Sequence, residues 1–283
     1  MVPERRGGPV RVPSKALGES SRCVLALNGR RGPVLAPMTY WSDGAHLWLT
    51  TAASSTKAAL LRRSPQCQVY VAPPEVGAPG VVARGEARVF GLDDPVGLAL
   101  HGPAIGGALA ALGARNLPGV LGYARDLPRV PKAWRPRARV VLRVRLGDAK
   151  LVTPPALDAG VAPALPSVVP ADVRRALAGE RRVALGLGED RGLAIAPATW
   201  SATDHGIAID SPLLDAAAAT GRRACVAVHA EPGSGPLGVA GSALHGELAQ
   251  GVLTPQRVTW WRGFSAETVG VPSRQPGGIE LPD

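Results

Sequence analysis

Val34-Leu-Ala-Pro-Met-Thr-Tyr-Trp-Ser-Asp-Gly-Ala-His-Leu-Trp-Leu49 and Leu193-Ala-Ile-Ala-Pro-Ala-Thr-Trp-Ser-Ala-Thr-Asp-His-Gly-Ile-Ala-Ile209 are two versions of one pattern. Each reads as an Ala-Pro strand, a polar turn and a second strand, so the chain repeats a β-rich unit. Further along, Cys67-Gln-Val-Tyr-Val-Ala-Pro-Pro74 is echoed by Cys225-Val-Ala-Val-His-Ala-Glu-Pro232, at a similar distance from the Ala-Pro pair. A third likeness pairs Val82-Ala-Arg-Gly-Glu-Ala87 with Val239-Ala-Gly-Ser-Ala243.

Working outward from these anchors, alternation of apolar and polar residues predicts first-half strands over 22–28, 33–40, 46–51, 66–72, 81–90 and 138–146. A helix over Ser54 to Arg63 fits between them, with Ser54 or Ser55 as N-cap and Pro65 closing it. Many short strands and one short helix predict a small closed barrel in each half. The expected organisation is an arm over 1–21, a first barrel over 22–151 with a helical and loop insertion at 91–136, a Pro/Ala-rich linker over 152–170, a second barrel over 171–269 and a tail over 270–283. The second half is expected to pass almost directly from Glu247 to a last strand, Arg257 to Arg262.

The chain has 283 residues, 46% of them hydrophobic and 19% charged, with a mean hydropathy of +0.08. That composition fits a folded globule of two moderate domains and argues against disorder. The longest apolar run, Leu98 to Ala114, is broken by His101 and Pro103 and is read as too short and too weakly apolar to span a bilayer. The net charge of +10 comes from scattered Arg pairs without aromatic interleaving, so no nucleic-acid motif emerges and neither nucleic acid nor membrane is expected as a partner. Cys23, Cys67 and Cys225 lack disulfide or zinc spacing and read as buried thiols of a reduced, cytoplasmic compartment. His46, His205, His229 and His245 read as ordinary strand or turn residues, and no metal site is expected.

A strand ending in Pro-X-X-Tyr, a Ser-Asp-Gly turn, a strand ending in Thr and the run Ser-Ser-Thr-Lys-Ala-Ala-Leu-Leu-Arg-Arg-Ser-Pro together resemble the pyridoxamine 5′-phosphate oxidase-like, FMN-binding split-barrel superfamily. The resemblance covers about 22–90 and, more weakly, 182–264. It implies a mainly β fold with short helices, in which two tandem split β-barrels form an intrachain pseudo-dimer. The chain is then a monomer of that kind, or a homodimer of it. The cofactor implied is FMN, with F420 or haem as alternatives, and the activity implied is hydride transfer to a small-molecule substrate. The alternatives are a haem-binding or haem-degrading barrel, for which His229 or His245 would have to reach the iron, and a non-catalytic binding module.

Carried residue by residue, the resemblance places the cofactor phosphate on Thr50, Thr51, Ser54, Ser55 and Lys57. The chemistry is apt: a helix start presents unpaired N–H groups, hydroxyls add donors, and Lys57 supplies charge. The competing reading makes Ser54 a cap only and Lys57 a solvated helix residue. The equivalent turn in the second half reads Asp210-Ser-Pro-Leu-Leu-Asp215, without a lysine and with two carboxylates that repel phosphate. One cofactor per chain is therefore expected, with the second barrel as the wall of its groove. The oxidase proper carries Arg and Lys on its second strand, where this chain reads Pro33 to Tyr40, so pyridoxamine phosphate oxidation is not implied. Tyr40, Trp41, Trp48, Trp200, Trp260 and Trp261 are the aromatics expected near the groove, and no catalytic side chain follows from spacing.

Overall fold

The computed structural model describes residues 14–75, 77–126, 128, 138–189, 192–204, 206–214, 221–230, 239–263 and 265–272. The first half contains α1 (Ser14–Glu19), β1 (Arg22–Gly29), β2 (Gly32–Thr39), β3 (Trp41–Ser42), β4 (His46–Ala52), α2 (Thr56–Arg63), β5 (Gln66–Val71), β6 (Gly80–Phe90), α3 (Pro95–Arg115), α4 (Leu117–Asp126) and β7 (Arg139–Val152). The second contains α5 (Ala171–Ala176), β8 (Arg182–Glu189), β9 (Gly192–Thr203), β10 (Gly206–Asp210), β11 (Arg222–Ala230), β12 (Ala240–Ala249), β13 (Val252–Arg262) and β14 (Ser265–Gly270).

Each half folds its strands into an antiparallel ring. The sheets run β2-β1-β5-β6-β7-β4-β3 and β10-β9-β8-β11-β12-β13-β14, with β10 also pairing β13. In the first, Tyr40 alone separates β2 from β3, and β3 pairs β4 through Trp41↔Trp48, so one bent strand closes the ring. In the second, the longer β9 does the same in one piece, pairing both β8 and β10. Closure leaves few open edges and lets the inward face of every strand meet in one core. Leu25, Leu47, Leu49 and Leu142 fill the first core and Leu185, Val226, Leu244 and Leu253 the second, all essentially inaccessible to water. Each such side chain is worth about 1.5–3 kcal/mol of burial.

The two barrels meet with pseudo-twofold reciprocity. Strand β2 lies on β8, β11 and β12, and β9 lies on β1, β5 and β6, the mutual pattern of an isologous contact within one chain. Val24, Leu35, Tyr70 and Val82 of the first barrel pack with Ile195, Cys225, Ala227 and Ala243 of the second. Polar groups join them: the Gln68 amide donates to the Leu193 carbonyl and Arg223 to the Arg30 carbonyl at 3.5 Å. At Gly186 a Cβ would stand 2.9 Å from a Leu35 methyl and 3.3 Å from Pro33, so a larger residue enters only if Leu35 shifts.

Strand register corrects the expected repeat. The Ala-Pro pairs are equivalent, since Pro37 lies opposite Val24 and Pro197 opposite Ala184. From that anchor, Val69 lies opposite Leu25, and Val226 opposite Leu185. Cys225 thus corresponds to Gln68 rather than Cys67, and a one-residue slip turns a side chain to the other face. Cys67 accordingly sits in the first core and Cys225 in the seam between barrels. The third likeness slips further, because Val69 lies opposite Ala83 and Val226 opposite Leu244. The true match is Ala83-Arg-Gly-Glu86 with Leu244-His-Gly-Glu247.

Other departures are local. Strand β13 starts at Val252, earlier than expected, because Gln250 and Gly251 both take positive φ and turn the chain into a tight hairpin. Strand β14 was not expected, because its Ser-Ala-Glu-Thr-Val-Gly run lacks an apolar rhythm and five of its six residues stand exposed. The segment between barrels is packed: Leu165 and Val169 enter the second core, and the Val161 carbonyl accepts from the Ala202 amide. Most of the expected arm and tail lies outside the described residues.

Candidate functional site

The turn after β4 is built from its cap outward. Ser55 is the N-cap of α2, accepting from the Ala58 amide at 3.3 Å, and the Thr51 hydroxyl donates to the Ser55 hydroxyl at 3.1 Å. Of the two candidate caps, Ser55 takes the role and Ser54 stands exposed. Thr51 is buried, so it orients the cap from beneath and does not face solvent. Lys57 becomes the second residue of the helix, where backbone N–H groups have no intrahelical acceptor and the helix dipole favours an anion.

Arg139 is the cation that the sequence reading missed. It opens β7 opposite Ala52, and its guanidinium donates to the Thr50 hydroxyl at 2.7 Å. Its charge also reaches Lys57: burial, and then the Arg139 charge, hold the Lys57 ammonium below its ordinary pKa. Two cations at one half-buried helix start raise the cost of charging each, and a bound dianion offsets that cost. The donor set therefore fits a phosphate. The structure brings Thr50, Lys57 and Arg139 to one patch, with Thr51 and Ser55 shaping the turn below. No spacing rule links residue 139 to residue 57; only the β4–β7 pairing does.

The second barrel lacks this arrangement. Equivalence through Trp41↔Trp48 and Ser201↔Ala208 sets Asp210 at the place of Thr50 and Ser211 at that of Thr51. Asp210 is exposed, and the buried Ser211 hydroxyl donates to the Pro197 carbonyl at 3.0 Å. Asp215, the second expected carboxylate, lies outside the described residues.

The aromatics divide. Tyr40 and Trp200, equivalent in register, are buried, and each donates to a carbonyl of the segment before its barrel: Tyr40 to Leu17 at 2.9 Å and Trp200 to Glu180 at 2.7 Å. Trp48 packs with Phe90, Ile105 and Ala108 beneath α3, with Trp41 at the edge, and donates to Asp43. Trp260 joins the second core and Trp261 the seam. Among the histidines, His46 approaches Asp43 at 3.2 Å and His245 faces the seam, where desolvation and then Arg257 lower its pKa. His205 lies outside the described residues. Among the described residues no cluster of metal-ligating side chains occurs. The three cysteines are free and buried; burial pushes Cys67 and Cys225 up to about 12 and Cys23 higher still.

Fold and register define a tandem split-barrel protein. Residues 14–97, under a third of the chain, match the family model described as Pyridoxamine 5'-phosphate oxidase. No curated protein matches the chain. Among solved structures it is similar to a pyridoxamine 5'-phosphate oxidase-related, FMN binding protein from Nostoc punctiforme, at 14% identity over 70% of this chain and 90% of that one, with a TM-score of 0.36. It is also similar to a FAD-binding protein from Mesorhizobium loti, at 19% identity over 48% and 88% with a TM-score of 0.36. An F420 reductase is similar at 17% identity over 49% and 98%, with a TM-score of 0.32.

Proposed function

We propose that the chain is a flavin- or deazaflavin-dependent oxidoreductase that holds one FMN or F420 molecule by its phosphate at the first barrel. The observation that carries this reading is the convergence of Lys57 and Arg139 at the capped start of α2. In it, Lys57 and Arg139 neutralise the phosphate, the Thr50 hydroxyl stays within reach of the guanidinium, and Ser55 with Thr51 keeps the first turn of α2 aimed outward. The bound ring would supply the hydride chemistry, so no side chain need act as acid or base. The family match over 14–97 supports the cofactor class. The substrate is a small molecule received in a groove walled by the second barrel, since β2, which carries the seam, runs through Tyr40 into the strand that pairs β4. Three buried free thiols fit a cytoplasmic site of action.

Visible absorbance and fluorescence titration of the purified chain with FMN and with F420 test the reading. Saturable binding of one of them is expected. A chain that binds neither contradicts it.

A further inference from the structure

Two of the arginine pairs that stand far apart in sequence meet where the barrels join. In the β1–β2 hairpin Gly29 lies opposite Gly32, so Arg30 and Arg31 alone form the turn at its tip, and Gly32 closes it at a φ of +117°. Arg222 and Arg223 open β11 in the other barrel. The Arg223 side chain crosses the seam against that tip. Its guanidinium donates to the Arg30 carbonyl at 3.5 Å, and its Cβ lies 3.2 Å from where a Cβ on Gly32 would stand. Arg222 donates to the Gly188 carbonyl at 3.3 Å and so keeps to β8 beside the same corner.

Arg30, Arg31 and Arg223 are exposed, and among the described residues no carboxylate pairs with any of the three. Glu247 is opposite Arg223 on β12, yet its carboxylate lies against Gly221 instead. Elsewhere the chain neutralises its arginines: Arg62, Arg88, Arg145, Arg181 and Arg262 each meet an Asp or a Glu. Three like charges gathered without a counter-charge repel one another, and an anion held among them relieves that repulsion. Duplication does not explain the corner. At its pseudo-twofold mate Gln66 takes the place of Arg223, by the register that matches Gln68 with Cys225, and the β8–β9 turn reads Glu189-Asp190-Arg191.

We propose that this corner binds a small phosphorylated anion that bridges the two barrels. A guanidinium fork matches phosphate oxygens two at a time, and three forks suit a compound with more than one phosphate group. Asn28 to Pro33 and Gly221 to Ala224 hold no aromatic side chain, so a nucleic-acid strand would find nothing on which to stack a base. Among the described residues no large exposed apolar side chain stands there for a lipid surface to hold. Contrary to the expectation from Leu98 to Ala114, one helix is long and apolar enough to cross a membrane, with a mean hydropathy of 1.4 over its best window. That helix is α3, which Ile105 and Ala108 hold against Trp48 and Phe90. The corner is also distinct from the patch at Lys57. All of β2, eight residues or about 26 Å of strand, separates it from the Tyr40 bend that leads to β4.

Thermal melts and calorimetric titration of the full chain with tripolyphosphate, against sodium chloride at matched ionic strength, test the proposal without any flavin. Saturable binding and a rise in Tm above the salt control are expected, because an anion bound across the seam stabilises the folded chain by mass action. Arg31→Ala and Arg223→Ala should each weaken that binding by about tenfold or more, with circular dichroism unchanged. Should Arg223→Ala loosen the seam itself, Arg31→Ala, at the exposed tip of a turn, decides the matter alone. Lys57→Ala, which impairs the α2 patch, should retain the binding. Tripolyphosphate that does no more than the salt control, or a folded Arg31→Ala that binds as wild type does, overturns the proposal. So does loss of the binding in Lys57→Ala, because the anion then sits at α2.

Discussion

Gly85 and Gly246 occupy the same place in the two barrels, each at the point where the pairing of its strand slips by one residue. A bulge there bends the long strand so that the ring can close. Their surroundings differ. A Cβ on Gly85 would stand 2.6 Å from a Val144 methyl and 3.1 Å from the Cys67 sulfur, whereas one on Gly246 would run into the Thr254 main chain. Side chains can yield and main chain cannot. Gly246→Ala is expected to cost about 2–4 kcal/mol and Gly85→Ala less, as read by urea unfolding; equal costs would remove the distinction.

The cap at α2 can be separated from the charge beside it. Ser55→Ala removes the acceptor for the Ala58 amide and the partner of the Thr51 hydroxyl. It should lower stability by about 1 kcal/mol and weaken FMN or F420 binding modestly through a frayed helix start. Thermal melts beside binding titrations check this, and an unchanged melt would show that Ser55 does not hold the turn.

Lys57 has a signed pH dependence. Its pKa is lowered in the folded chain, so between that lowered value and the ordinary value near 10.5 the unfolded chain binds more protons. Ligand-free stability therefore rises with pH across that window as the charging penalty is relieved. Phosphate binding runs the other way, since it favours the charged ammonium. Affinity should fall as alkaline pH discharges Lys57, and Lys57→Arg, which stays charged, should flatten that limb. Parallel alkaline limbs in wild type and Lys57→Arg would assign the titration to another group.

Tyr40 and Trp200 tie each barrel to the segment before it through one buried hydrogen bond. Tyr40→Phe leaves the Leu17 carbonyl without that donor and should cost about 1–2 kcal/mol while sparing cofactor affinity. Loss of affinity without loss of stability would mean that Tyr40 faces the ligand.

Much of this was legible in the sequence, for identifiable reasons. The Ala-Pro strands and the Ser54-to-Arg63 helix show themselves locally, through alternation, capping and proline, and their bounds agree with the structure to within a residue or two. What failed needed pairing information. Cys67 and Cys225 look alike in sequence, yet register puts them on opposite faces of their strands. Gly85-Glu86 and Gly246-Glu247 went unmatched because the register shift at each glycine exists only between paired strands. Arg139 was hidden for the same reason, being remote from Lys57 along the chain and adjacent only through β4 and β7.

The central claim is one phosphate site per chain, on Lys57 and Arg139. Calorimetric titration of wild type and Lys57→Ala with FMN and with F420 tests it most directly. Wild type should bind one equivalent of its cofactor, and Lys57→Ala should bind about tenfold to a hundredfold more weakly. Without ligand the variant should be at least as stable as wild type, because the lost charge was a penalised one. Two equivalent sites per chain, or unchanged affinity in a folded Lys57→Ala, would contradict the account.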